Sequence, residues 1–217
     1  ETTGTDPLRC DLVGVSLAVE PGRGAYIPVG HSGAVQLEWA AVRQALKPIL
    51  EDPRKKIAGH HLKYDCLVLA RHGISPANLA FDSMLAEWLL DSNSRRLGLK
   101  DMALSYLNVN MTHIEDLIGK GKNQISMAEV PVERAAPYAA ADAEVTLRLT
   151  HLLREKLAAQ GSLKLMEEME MPLVPVLMSM EQAGITLDAD FLHKMSVDMA
   201  ARLGEIPAPR GLRVGYE

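Results

Sequence analysis

The sequence predicts an α/β protein whose second half is mainly helical. In the first half, short β-branched apolar runs alternate with helical patterns, and in the second half nearly every apolar pattern has helical spacing. The chain has 217 residues, of which 47% are hydrophobic and 24% are charged. This composition is typical of a folded globular protein, and it excludes a disordered, a collagen-like or a disulfide-stapled chain.

The individual elements follow from apolar spacing and from the Gly and Pro residues that separate them. A short apolar run predicts a strand, and a period of three to four residues predicts a helix. In the first half we predict a hairpin with strands over 12–19 and 25–29, a helix over 35–50, a strand over 56–59, and helices over 62–72, 81–90 and 99–107. In the second half we predict a helix opened by Pro131, a long helix over 138–159, and helices over 163–182 and 190–203.

The change from alternating to helical patterns predicts a domain boundary close to Gly161, which ends the long helix. We expect a first domain over residues 1–158 and a second, incomplete helical segment over 159–217. The tail of that segment, over 205–217, has no periodicity and is expected to be irregular.

The charge balance limits the kinds of partner. Net charge is −5, from 23 basic and 28 acidic residues. Because non-specific binding to duplex DNA depends on Lys and Arg, a nucleic-acid partner would need local contacts or metal ions. No apolar run is long enough to predict a membrane-spanning helix, so we expect no membrane partner. The two cysteines, Cys10 and Cys66, lack metal-binding spacing and indicate a reducing, cytoplasmic environment.

Two pairs of side chains have the i, i+4 spacing that places them on one helix face: His61 with Asp65, and Tyr138 with Asp142. Asp142 shares its face with apolar residues, so we expect it to point inward, where a carboxylate needs a cation or a metal. Carboxylates together with water and phosphate are the ligands that Mg²⁺ prefers. Each pair alone also fits a structural role, and Asp82 fits the role of a helix cap.

Taken in order, these and further segments resemble the 3′–5′ proofreading exonuclease domain of family A DNA polymerases, of the bacterial polymerase I type. The resemblance covers about residues 1–204. The segments that carry it are LVGVS at 12–16, YIPV at 26–29, LKYD at 62–65, FDSML at 81–85, GKGKNQ at 119–124, YAAAD at 138–142 and EMPLVPVL at 170–177. It implies a ribonuclease H-like exonuclease fold, with a central mixed sheet flanked by helices. A helical segment from the start of the polymerase domain would follow.

The resemblance also implies a site of four carboxylates and a tyrosine. Glu1 matches the Glu of the first motif, D-x-E, while Asp65 matches the acid of the second motif. Tyr138 and Asp142 match the third motif. Glu1, Asp65 and Asp142 would then bind two divalent metal ions, Mg²⁺ or Mn²⁺, and Tyr138 would position the attacking water. The family's first Asp would lie two residues before Glu1, outside the sequence, so we expect the chain as given to bind metal poorly and to be impaired.

The implied reaction is hydrolysis of the 3′-terminal phosphodiester of single-stranded or frayed DNA, as in proofreading during DNA replication and repair. One metal would lower the pKa of the attacking water, and the second would stabilise the leaving 3′ oxygen. The implied partners are DNA and the remainder of a polymerase chain. His61, Lys63, Lys120 and Lys122 are the candidate DNA contacts.

Three positions depart from the family pattern: His61 stands where the family has Asn, Thr5 where it has Leu, and Ile114 where it has an aromatic residue. The grip on the DNA end is therefore expected to differ. The helical segment contains no polymerase motif, so the chain should not polymerise DNA. Two alternatives stay open: a non-catalytic exonuclease-like structural module, which the retained acids count against, and an RNA-processing exonuclease of the same superfamily, which the polymerase-like segment 170–188 counts against.

Overall fold

The computed structural model describes residues 1–205, so the predicted irregular tail lies almost entirely outside the described residues. Strands and helices alternate in the first part, as predicted, and the rest is helical. In chain order the elements are β1 (Gly14–Glu20), β2 (Arg23–Pro28), α1 (Trp39–Leu50), β3 (Ile57–Gly59), α2 (Leu62–Arg71), β4 (Leu79–Asp82), α3 (Ser83–Leu90), α4 (Leu99–Leu107), α5 (Glu115–Ile118), α6 (Val132–Gln160), α7 (Leu163–Leu165), α8 (Met171–Ala183) and α9 (Ala189–Glu205).

β1 and β2 form the predicted antiparallel hairpin, with Val15 opposite Ile27. Its turn uses Gly22, whose φ of +81° lies in the left-handed region that favours glycine. Gly24 lets β2 approach α6 closely, because a Cβ at this position would lie 2.1 Å from the carbonyl oxygen of Ala140. The hairpin therefore packs directly against the helix that carries the YAAAD segment.

β3 and β4 pair in parallel. The prediction of a helix from residue 81 is wrong at its start, because Phe81 and Asp82 belong to β4 and α3 begins at Ser83. Phe81 is buried in the core. Asp82 accepts hydrogen bonds from the backbone N–H groups of Met84 and Leu85, so it caps α3 instead of belonging to it.

The predicted α/β class is confirmed, but the sheet is divided. In the part of the chain that the structure describes, the strands form two separate two-stranded sheets, β1–β2 and β3–β4, instead of one hydrogen-bonded central sheet. Residues of β1, β3 and α2 line a cavity of about 170 Å³. The two sheets are joined through α6, which packs against both β1 and β3.

Helix α6 supplies the centre of the hydrophobic core, where it packs against α3 and α4. The prediction of two helices here is wrong, because the chain forms one helix, with Pro131 at its N-cap and Pro137 inside it. Since Pro137 lies in the second turn, its missing N–H removes a hydrogen bond near the helix start and leaves those of the later turns intact. The fully buried apolar residues of the later turns are Val145, Leu149, Leu153 and Leu157.

After α6 the described residues are helical, except for residues 161–162 and 184–188. A π-helical turn at Met166–Glu170 separates α7 from α8, whereas Pro175 lies inside α8 without interrupting it. Residues 1–182 form one compact unit, and a second begins at Ala183. The predicted domain boundary after residue 158 lies within the first unit and stays a prediction. Across residues 1–205, every helix is too short or too polar to cross a membrane.

Candidate active site

Tyr138 and Asp142 lie one turn apart on the same face of α6. Ala139 between them is buried, which turns the tyrosine and the acid toward the cleft beside the helix. The volume of this cleft is about 110 Å³. Besides Tyr138 and Asp142, it is lined by Met111, Thr112, Arg134, Pro137 and Ala141.

Lys100, at the start of α4, contacts both of these side chains. Its ammonium group forms an ion pair with the carboxylate of Asp142, and its Nζ lies 4.2 Å from the centroid of the Tyr138 ring. The side chains of Lys100 and Asp142 are only 17% and 22% exposed. Because the face of an aromatic ring attracts a cation, this one lysine interacts favourably with the acid and with the tyrosine.

Burial controls the protonation of both side chains on α6. It raises the pKa of Asp142, while Lys100 opposes this effect and the charge of Glu1 adds to it. Burial also raises the pKa of Tyr138, and the charges of Asp142 and Glu1 raise it further. The hydroxyl group of Tyr138 is therefore protonated at neutral pH, so it can donate a hydrogen bond to a water or a phosphate oxygen but cannot act as a base.

Glu1 is fixed by its main chain at the beginning of β1. Its carbonyl oxygen accepts hydrogen bonds of 2.8 Å and 3.2 Å from consecutive backbone N–H groups there. Its carboxylate raises the pKa values of Asp65, Tyr138 and Asp142. Glu1 also lines the cavity beside β1 together with Asp65, so the structure brings these two predicted catalytic residues to one space.

Asp65 lies in the first turn of α2, and the residue before this helix, His61, has a left-handed conformation with φ of 65°. Asp65 borders the cavity beside β1 and is exposed to solvent. Desolvation of its carboxyl group against this cavity raises its pKa, to about 7, and the exposure to solvent weakens the effect of this shift on stability. The amino group of Glu1 opposes the increase, and the negative charges of Asp82 and Glu1 add to it. Without a cation beside it, Asp65 therefore holds a proton readily.

We expect the metal-free protein to lose stability as the pH rises through about 7, because of Asp65. Its ordinary pKa is 3.8, so the folded chain binds this proton more tightly than the unfolded chain does. The contribution to stability is complete below the ordinary pKa and is lost above the folded pKa. In EDTA, the Tm of the wild type should therefore fall relative to that of Asp65→Asn as the pH is raised through this window.

The matched control for this pH series is Asp101→Asn, since Asp101 is an exposed acid in the first turn of α4. Its Tm curve should run parallel to that of the wild type. A curve for Asp65→Asn that also ran parallel would contradict the prediction.

The three predicted metal ligands are not gathered into one coordination shell. Within residues 1–205, no group of three or more His, Cys, Asp or Glu side chains is close enough to hold a metal ion. The carboxylate of Asp142 is paired with Lys100 instead.

The chemistry of the three predicted ligands nevertheless fits a divalent cation, because Glu1, Asp65 and Asp142 are all carboxylates. In addition, the raised pKa values of Asp65 and Asp142 show that their charged forms are disfavoured, which a cation would relieve. Their role as metal ligands stays a prediction.

The four predicted DNA contacts differ in their availability. Lys63 forms an ion pair with Glu181 of α8, and this engages its ammonium group. His61 is exposed in front of α2. Lys120 and Lys122 are exposed around a 3-10 turn that follows α5. His61, Lys120 and Lys122 are therefore accessible to a ligand, and the DNA-binding role of all four residues stays a prediction.

Sequence reasoning missed two basic residues at the cleft, Lys100 and Arg134. Arg134 precedes Tyr138 by one helical turn, so the spacing that pairs Tyr138 with Asp142 could have identified it. Its guanidinium donates a hydrogen bond of 2.6 Å to the backbone carbonyl of Asp116. No sequence signal marks Lys100, because its contact with the site depends on how α4 packs against α6.

Tyr138 and Asp142 share one cleft beside α6, which agrees with the third motif of the exonuclease domain that the sequence resembles. Residues 1–158 match the family model described as 3′–5′ exonuclease. The chain belongs to the 3′–5′ exonuclease family.

Curated relatives of the chain are bacterial DNA polymerases I. That of Chloroflexus aurantiacus is 45% identical over 209 residues, which cover 95% of this chain and 22% of the relative. That of Pseudomonas aeruginosa is 43% identical over 209 residues, which cover 94% of this chain and 23% of the relative. The chain thus spans about a fifth of the length of these relatives.

Solved structures show the same fold. A Pol1 structure from M. smegmatis, in complex with DNA primer-template and dNTP, superposes with a TM-score of 0.72 at 24% identity, covering 92% of this chain and 30% of that chain. Brucella melitensis NrnC with bound Mg²⁺ superposes with a TM-score of 0.64 at 22% identity, covering 87% of each chain. At these identities the likeness concerns the fold alone, and the predicted exonuclease-type fold is confirmed.

Proposed function

We propose that this domain removes nucleotides from the 3′ end of DNA, as the proofreading exonuclease of a family A polymerase. The observation that supports this most is the shared cleft of Tyr138 and Asp142, together with the cavity that Glu1 and Asp65 share, in a chain of the exonuclease family. The domain would cover residues 1–158, with the start of the polymerase domain after it. Its place of action would be the cytoplasm, where bacterial DNA is replicated.

Glu1, Asp65 and Asp142 are the residues that would hold two divalent ions, Mg²⁺ or Mn²⁺. When bound, such ions lower the pKa of a coordinated water and stabilise a leaving oxygen. Tyr138, which stays protonated, would donate a hydrogen bond to the attacking water and so orient it toward the terminal phosphate. Its partly buried ring lies against Lys100, and this restricts the directions in which the hydroxyl group can point.

The proposed substrate is a single strand or a frayed 3′ end, in line with the 3′–5′ exonuclease family to which the chain belongs. His61, Lys63, Lys120 and Lys122 are the proposed phosphate contacts, and Lys63 would first have to leave Glu181. Thr5 and Ile114 are exposed and would give a weaker apolar grip than the larger residues of the family. The remainder of a polymerase chain is the proposed partner, in line with the length of the relatives.

The two alternatives have less support. A non-catalytic module would not be expected to keep Glu1, Asp65, Tyr138 and Asp142 together. An RNA-processing exonuclease is disfavoured because relatives at 34–45% identity over most of the chain are DNA polymerases I.

Hydrolysis of 5′-labelled single-stranded DNA tests the proposal. The chain, and the longest natural form that contains it, should be incubated with Mg²⁺, Mn²⁺ or EDTA. We expect stepwise shortening from the 3′ end that EDTA abolishes, and faster shortening of a duplex with a mismatched 3′ end than of a fully paired duplex. The proposal fails if the longer form leaves the DNA intact, and the RNA-processing alternative takes its place if only RNA is shortened.

A further inference from the structure

We propose that Lys100 is a built-in cation of the metal-free site, which competes with divalent metal ions for Asp142. This inference rests on the proposed function, because it concerns the same site. Three contacts carry it: the ion pair of Lys100 with Asp142, the position of its Nζ over the Tyr138 ring, and the low exposure of both charged side chains.

The pairing of Lys100 with Asp142 meets an electrostatic need of the site. The side chain of Asp142 is only 22% exposed, so its charge is largely removed from water. The ammonium group of Lys100 offsets this effect, so the metal-free protein can keep a charged carboxylate in the cleft. A buried charge without a partner would be strongly destabilising, and the lysine removes that problem until a metal ion arrives.

The same pairing sets a condition on metal binding. A divalent ion that coordinates the carboxylate of Asp142 would lie next to the ammonium group, and two cations at contact distance repel each other. Lys100 must therefore move away from the carboxylate when the metal binds. Its flexible four-carbon stem allows this movement without a change in α4. The free energy of the lost ion pair is then subtracted from the free energy of metal binding.

The test is a titration of Mn²⁺ alone, followed by calorimetry, on the wild type and on Lys100→Met, which keeps much of the apolar stem and removes the charge. The dissociation constant for Mn²⁺ should fall by about tenfold in Lys100→Met, at the lower end of the effects that side chains next to a metal site have on affinity. The matched control is Lys156→Met. Lys156 is an exposed lysine that also lies over a tyrosine ring, with its Nζ 5.3 Å from the centroid of Tyr106, and in sequence it is far from the predicted metal ligands. Its affinity should equal that of the wild type.

A second readout is thermal stability. In EDTA the Tm of Lys100→Met should lie below that of the wild type, because Asp142 loses its counter-charge, and saturating Mn²⁺ should remove this difference. If Lys100→Met does not fold, Lys100→Gln takes its place, because its amide can still donate a hydrogen bond to Asp142. The inference is wrong if Lys100→Met binds Mn²⁺ no more tightly than the wild type does, which includes the case in which neither protein binds it. It is also wrong if the Tm difference between the two proteins persists with Mn²⁺.

Asp142→Asn separates this inference from the proposed function. If Asp142→Asn binds Mn²⁺ as tightly as the wild type does, the proposed metal site is wrong. If Asp142→Asn loses Mn²⁺ binding while Lys100→Met and the wild type bind it equally, only the role of Lys100 is wrong.

Discussion

Replacing Asp142 by Asn is expected to lower the rate of 3′-end hydrolysis by more than about a hundredfold, since loss of a residue that only supports a metal ligand already costs about 10–100-fold. Asn has nearly the shape of Asp but lacks the negative charge that would hold a cation. The rate should be measured with saturating Mn²⁺ on single-stranded DNA, in the longest natural form that contains the chain. Mn²⁺ above the concentration that saturates the wild type should restore only part of the activity of Asp142→Asn.

The control for Asp142→Asn is Glu155→Gln, which removes one exposed charge from a later turn of the same helix. Its activity should equal that of the wild type. Because Asp142→Asn also removes the partner of Lys100, its Tm must be recorded, and the activity compared well below that temperature. A folded Asp142→Asn protein with a rate within about threefold of the wild type would show that this carboxylate takes no part in the reaction.

Sequence reasoning succeeded where a short segment determines its own structure. The hairpin needs only two apolar runs and the turn at Gly22, and the end of α2 needs only the glycine at residue 73, whose φ is +85°. The pairing of Tyr138 with Asp142 depends on helical spacing within α6 alone. In each case the interactions lie within a few residues along the chain.

Sequence reasoning failed where contacts between distant segments decide the outcome. Phe81 and Asp82 fit a helical pattern, but pairing with β3 makes them a strand. Within the described residues β1 does not pair with β3, and since strand pairing joins distant segments, no local pattern records this division of the sheet. The contact of Lys100 with Asp142 joins α4 to α6, and it too has no sequence signature.

Asp82→Ala is expected to be the most destabilising substitution of a single acid in this domain. Asp82 is only 2% exposed, and one of its oxygens, Oδ1, accepts hydrogen bonds from the backbone N–H groups of Met84 and Leu85 at the start of α3. The same carboxylate also accepts from the N–H groups of His61 and Leu62 at the start of α2. One side chain therefore satisfies orphan donors at the beginnings of two helices.

Alanine at position 82 would leave these N–H groups without their acceptor. Each buried donor that loses its partner costs about 1–3 kcal/mol, and water can reach some of them, so we expect a loss of about 4 kcal/mol in the free energy of unfolding. For a chain of this length the Tm should then fall by about 10 °C. Asp6→Ala is the control, because Asp6 is exposed and accepts one such bond, from the N–H of Leu8.

The effect of Asp82→Ala should extend to the site, because α2 carries Asp65 in its first turn. Without Asp82, the start of this helix loses two of its hydrogen bonds, and the carboxylate of Asp65 is no longer held at one position. Measured well below the reduced Tm, hydrolysis by Asp82→Ala should therefore be slower than the folded fraction alone explains, whereas Asp6→Ala should match the wild type. If the rate follows the folded fraction, Asp82 supports only the fold, and the position of Asp65 is fixed by the packing of α2.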